Sequence, residues 1–142
     1  MRSILWILSG ILFFSSVLVT SAGDKPELQG YCPVAYVALH KAVKGDQKFV
    51  STFKGHKYLF VNADAKMAFD KEPSKFVKNV PYDGWCATGI AMGKKIVANP
   101  ELLTVVNDKV YLFSTNEAKK AFDMDQPKNI VKADAYYASL TK

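Results

Sequence analysis

The chain has 142 residues, 49% hydrophobic and 23% charged, with 19 Lys and Arg against 13 Asp and Glu. That composition excludes a disordered tail, a low-complexity fibre and a pair of large domains. The net charge of +6 invites an anionic partner, but every basic residue after Arg2 is a lysine and these are spread along the chain, whereas base and phosphate recognition favours the guanidinium fork. Nucleic acid is therefore not an expected partner.

The first 22 residues differ from the rest. Met1 and Arg2 give a positive start, Ile4 to Val19 form an apolar run broken only by Ser and Gly, and Thr20-Ser21-Ala22 supplies small residues for a signal peptidase. This pattern predicts a signal peptide over residues 1–22, cut after Ala22, and hence a secreted or periplasmic protein. The alternative is an uncleaved anchor, because the run falls just short of the roughly 17–25 residues a membrane helix needs. No Cys follows closely enough to accept a lipid. No later stretch is apolar enough to span a bilayer, so no stable membrane span is expected after cleavage.

Residues 23–142 read as a single domain with an internal repeat about 54 residues apart, the copies covering about 29–80 and 83–135. In chain order, the first copy opens with Gly30-Tyr31-Cys32 and a short apolar stretch. Phe49 to Phe53 and Lys57 to Val61 flank Lys54-Gly55, a hairpin signal. Asn62 can cap a helix from Ala63, with Ala65, Ala68 and Phe69 on one face, and Pro73 suits the first turn of a further helix reaching Val77.

The second copy runs in the same order. Gly84-Trp85-Cys86 leads to strands Leu102 to Val106 and Val110 to Phe113 around Asn107-Asp108-Lys109. Ser114 or Thr115 can cap the next helix, and Pro127 opens a last helix running close to Leu140. Pro73 pairs with Pro127 once one residue is inserted. The fold class expected is α+β, two ββα-type units sharing one core.

Lys54-Gly55-x-x-Tyr58-x-Phe60, the Ala-rich helix, Phe69 and Pro73-x-x-Phe76 resemble the YHS domain, with Cys32-Pro33-Val34 where that domain has its opening Asp-Pro-Val-Cys motif. The order Gly-Tyr-Cys-Pro-Val, Lys41-Ala42-Val43-Lys44-Gly45, Gly-Trp-Cys is similar to a secreted bacterial subfamily of YHS proteins, some labelled selenoproteins. The likeness covers roughly residues 29–135. It implies metal binding through thiolates after the hairpin and in the opening motif. Here those positions read Phe60-Val61-Asn62-Ala63-Asp64-Ala65, with Ala35 at the opening Cys, and the second copy reads Phe113-Ser114-Thr115-Asn116-Glu117-Ala118. A tetrathiolate zinc or copper site of the family type lacks its donors.

What the chain offers instead is Cys32 and Cys86, at equivalent positions of the repeat. If the copies pack about a pseudo-twofold axis, the sulfurs could meet. A disulfide would close a loop of 53 residues, contributing about 4 kcal/mol in the chain-entropy model. A soft metal, with copper as Cu(I) the best match to sulfur donors, could instead be held by the two thiolates, with Met92 and His56 as candidate further ligands. Thiol redox activity at the same pair is the rival, and two unpaired buried thiols complete the alternatives.

The remaining candidates have plainer readings. Met67 and Met92 are expected as core or gap-filling side chains, and His40 and His56 as solvated. Tyr31 and Trp85 would screen the sulfurs from water. Tyr36, Tyr58, Tyr82 and Tyr111 could line a ligand patch, although strand aromatics are usually core. Lys94-Lys95 reads as a solvated turn, and Asp83 before Gly84 as a turn initiator that could also orient a ligand. Motifs for serine hydrolysis, phosphate loops, Cys-x-x-Cys redox and His-Glu-x-x-His zinc chemistry are absent from the sequence. The sequence thus points to a binding or accessory module rather than an enzyme, with a metal ion or a protein as the possible partner.

Overall fold

The computed structural model describes residues 25–142; the expected signal segment, residues 1–22, lies outside them. Both hairpins form where the turn signals stand. Strand β1 (Asp46–Phe53) pairs antiparallel with β2 (His56–Phe60), and β3 (Asn99–Val106) with β4 (Lys109–Phe113). Lys54 and Gly55 have φ of 50° and 81°, and Asn107 and Asp108 have 51° and 63°. Positive φ at both central residues gives two-residue hairpin turns whose twist matches that of the strands. Lys109 accordingly belongs to β4 and not to the turn. Each long strand starts earlier than the apolar pattern suggested, with a bulge between Asp46 and Val50 and another between Asn99 and Leu103.

Helices follow each hairpin. Asn62 accepts from the Ala65 amide at 2.8 Å and starts α2 (Ala63–Lys71), and Thr115 accepts from the Ala118 amide at 3.1 Å and starts α5 (Asn116–Asp123). Such caps satisfy one of the free amides of a first helical turn. Pro73 opens α3 (Pro73–Lys78), while Pro127 stands second in α6 (Gln126–Leu140), which Asp125 caps. The short apolar stretches after each Gly-aromatic-Cys turn are also helical: α1 (Pro33–Leu39) and α4 (Ala87–Ala91), with Cys32 and Cys86 at their N-caps.

Packing of helix on hairpin repeats closely in the two halves. The Phe69 ring lies 5.1 Å from Tyr58 and 4.9 Å from Phe60, and the Phe122 ring lies 5.2 Å from Tyr111 and 5.1 Å from Phe113. Each of these two rings is a fully buried anchor, so truncation to Ala should cost about 3–5 kcal/mol. On the outer side Ser51 donates to Asp70 at 2.5 Å, Thr104 to Asp123 at 3.0 Å, and Lys66 and Lys119 ion-pair the same carboxylates at 2.6 and 2.7 Å. Lys66 and Ser51 hold the Asp70 carboxyl below the usual carboxylate range. Burial pushes Asp123 up, but its bonds from Lys119, Gln126 and Thr104 outweigh that and lower it too.

The α+β class holds, with two separate two-stranded antiparallel sheets. The single core expected from sequence is instead divided. One cluster gathers Cys32, Ala35, Tyr58, Phe60, Phe69 and Phe76; the other gathers Cys86, Ile90, Val110, Phe113, Phe122 and their neighbours. Each hairpin is covered by its own helix, which closes each cluster separately. The join is made by Leu28 and Tyr36, which come from the first half but pack in the second half's cluster, and by Val37, which packs against both. Tyr36 also donates its hydroxyl to the Pro100 carbonyl at 2.8 Å, and burial keeps that hydroxyl well above its ordinary pKa. Among the described residues no helix is long and apolar enough to cross a membrane.

Candidate functional site

The halves meet at two matching left-handed turns. Leu28 and Gln29 have φ of 53° and 55° before Gly30 at 82°, and Tyr82 and Asp83 have 60° and 50° before Gly84 at 77°. Non-glycine residues in this region cost of order 1–3 kcal/mol each and persist only where the surroundings over-determine them. Here the surroundings are the opposite turn. A Cβ on Gly84 would stand 2.7 Å from Leu28 Cδ2, so the turns pack face to face, and Gln29 Nε2 donates to the Ala98 carbonyl at 2.8 Å.

Polar side chains converge on this junction. His56 Nδ1 on β2 meets Glu27 Oε1 at 2.7 Å, the Tyr137 hydroxyl on α6 donates to Asp83, and Tyr82 donates to Asp134 at 2.8 Å. Burial pushes the Tyr58 hydroxyl up to about 12, and the charges of Glu27 and Asp83 add to the rise. Burial, the bond to Asp83 and the charges of Asp83 and Glu27 likewise raise Tyr137. Glu27, Tyr58, Asp83 and Tyr137 thus form one electrostatic group drawn from both halves.

Asp83 lines three adjoining depressions around this group. One, of about 180 Å³, lies between the turns and Trp85, Val97 and Ala98. The largest, of about 380 Å³, is a cleft bounded by the tip of the first hairpin (Phe53, Lys54, His56, Tyr58), by Ser74, Val77 and Lys78 of α3, and by Tyr137 and Thr141 at the end of α6. A concave site with aromatic walls and a few convergent charges has the character of a small-molecule site.

Of the residues singled out from sequence, His56, Tyr58 and Asp83 line the large cleft, and the proposed sulfur ligands lie elsewhere. Cys32 and Cys86 are free thiols at 0% exposure, one in each cluster. Ser114, which does not cap α5, donates instead to Cys86 Sγ at 3.4 Å. Met92 is 66% exposed just past the end of α4, and Met67 is 59% exposed. Neither fills the core as expected. Met67 falls two residues from both Ala65 and Phe69, the buried positions of α2, and so faces the opposite side of the helix. His56 is half exposed and tied to Glu27 rather than to a sulfur. Among the described residues no three His, Cys, Asp or Glu side chains are grouped to hold a metal ion, so Cys32, Cys86 and His56 do not form a shared donor set. Tyr31 and Trp85 are half-buried, each with a lysine over its ring, Lys44 at 5.9 Å and Lys95 at 5.4 Å. Tyr36, Tyr82 and Tyr111 are core residues, and only Tyr58 of that group reaches the large cleft.

Glu27 and Tyr137 carried no sequence signal of their own. A signal does lie in the differences between the two halves. Asp83 precedes Gly84 as Gln29 precedes Gly30, and Tyr137 lies on the part of α6 that outruns the shorter α3. No protein-family model, no curated protein and no solved structure matches this chain.

Proposed function

We propose that this chain is an exported, YHS-like binding or accessory module, made of two copies of one ββα unit, that receives a small molecule at the junction of the copies. The observation that carries this reading is the convergence of Glu27, Tyr58, Asp83 and Tyr137 beside a cleft of about 380 Å³. Matched hydrogen bonds at Asp70 and Asp123, and matched left-handed turns, support the duplication. The apolar run after Arg2 supports export. The test is a thermal-shift screen of small polar molecules against the native chain and Asp83→Asn. Ligands that raise the Tm of the native chain and not of the variant are expected; a screen without any such ligand refutes the reading.

A second reading places a soft metal such as copper, or thiol redox chemistry, at Cys32 and Cys86. It draws on the two sulfurs occupying matched helix N-caps. Full burial in separate apolar clusters counts against it, because thiol chemistry needs access. Thiol titration decides: protection that appears only with Cu(I), or a bridge that opens in mild reductant, would favour this reading over the cleft.

A further inference from the structure

We propose that the junction cleft takes a small zwitterion, an α-amino acid or short peptide with free termini, its ammonium held at Asp83 and its carboxylate at Lys54 and Lys78. This rests on reading the cleft as a ligand site, and it follows from the charges that line it. Asp83 is the one carboxylate on the cleft wall, with Glu27 close behind it, while Lys54 and Lys78 supply two cations. All three are exposed, and among the described residues none has an ion-pair partner.

Each simpler ligand class leaves a charge unmatched. A bare anion would meet the lysines but also the Asp83 carboxylate. A bare cation would meet that carboxylate but also two lysines on a chain of net charge +6. A neutral molecule would cover charged groups without pairing them, which carries a desolvation cost. A zwitterion pairs both signs at once. The walls add a preference for an apolar side chain: Phe53, Tyr58 and Tyr137 present rings. Rings offer the largest contact area per residue. The bond from Tyr137 fixes Asp83 before a ligand arrives, so little ordering remains to be done on binding.

The experiment titrates the full chain, followed by amide shifts, with three probes: leucylglycine, N-acetyl-leucylglycine, which lacks the ammonium, and leucylglycinamide, which lacks the carboxylate. Leucylglycine should move amides in residues 53–58, 74–78 and 83, and blocking either end should weaken binding about tenfold or more, as expected for loss of a charge-assisted hydrogen bond. Asp83→Asn should erase the preference for the free amine. Should that variant fold poorly, Lys54→Gln with Lys78→Gln, both surface changes, should erase the preference for the free carboxylate. Equal binding of all three probes, or unmoved cleft amides at about 10 mM leucylglycine, overturns the proposal. Neutral or singly charged molecules that occupy the cleft while leucylglycine does not would overturn the zwitterion alone and leave the cleft a ligand site.

Discussion

Replacing Gly84 with alanine tests the packing of one left-handed turn on the other, the contact on which the junction depends. Two costs combine. At φ +77° an L-residue pays about 1–2 kcal/mol. The new Cβ would also stand 2.7 Å from Leu28 Cδ2, and Leu28, 8% exposed and packed in the second cluster, can give way only by disturbing its neighbours. That adds about 1 kcal/mol, the lower end for overpacking, since the atom met is a side-chain terminus. Gly55→Ala is the control: its φ is +81° but nothing lies within 4 Å of the added carbon, so it bears the backbone cost alone. Urea unfolding should therefore find Gly84→Ala about 1 kcal/mol costlier than Gly55→Ala, a further fall in Tm of about 4 °C. Leu28→Ala, which deletes both Cδ atoms without adding a β-branch at this left-handed position, should recover most of that difference in a double-mutant cycle. Equal costs for the two glycine variants, or no coupling to Leu28, would refute face-to-face packing of the turns.

Other perturbations have equally definite outcomes. Asn62→Ala and Thr115→Ala should each cost about 1 kcal/mol by denaturant unfolding, because each leaves a first-turn amide without its cap. Cys32→Ser should destabilise more than Cys86→Ser, by about 1 kcal/mol, since a hydroxyl at 86 finds Ser114 within reach whereas one at 32 is buried among apolar groups. Tyr36, Tyr58, Tyr82, Tyr111 and Tyr137 are all raised by burial. Their stabilisation is therefore complete below the ordinary tyrosine pKa of 10.0 and is lost as pH climbs through the folded values, about 12 for Tyr58. The phenolate absorbance at 295 nm of these five of the seven tyrosines should rise late and together with unfolding; ionisation of all seven near pH 10.0 in a folded chain would contradict the burial of these hydroxyls. Thr104→Ala, at a largely solvated carboxylate, should change stability by less than about 1 kcal/mol.

Local chemistry made the hairpins and capped helices legible in the sequence. Lys54-Gly55 and Asn107-Asp108 sit in turns that demand positive φ, and Asn62 and Thr115 cap as their side chains allow. Helices α1 and α4 were hidden because Pro33–Leu39 and Ala87–Ala91 are too short to establish a period. The left-handed turns were largely hidden because Leu28, Gln29 and Tyr82 have no preference for that conformation; Asp83 before Gly84 signalled a turn, and tertiary packing imposes the rest. Cys32 and Cys86 both stand at helix N-caps, but a matched local position does not fix separation, and each sulfur serves its own cluster. The cleft was the least legible feature. It joins Glu27 to His56 and Asp83 to Tyr137, partners 29 and 54 residues apart, and only the folded junction brings them together.

The most direct test of where this protein receives its ligand is an amide shift map of the full chain titrated with the hits of the thermal-shift screen. Binding at the junction predicts the largest movements around Tyr58, Lys78, Asp83 and Tyr137, with the amides that follow Cys32 and Cys86 unmoved. Movements gathered at residues 32–36 and 86–90, with the cleft silent, would contradict it and return the function to the thiols.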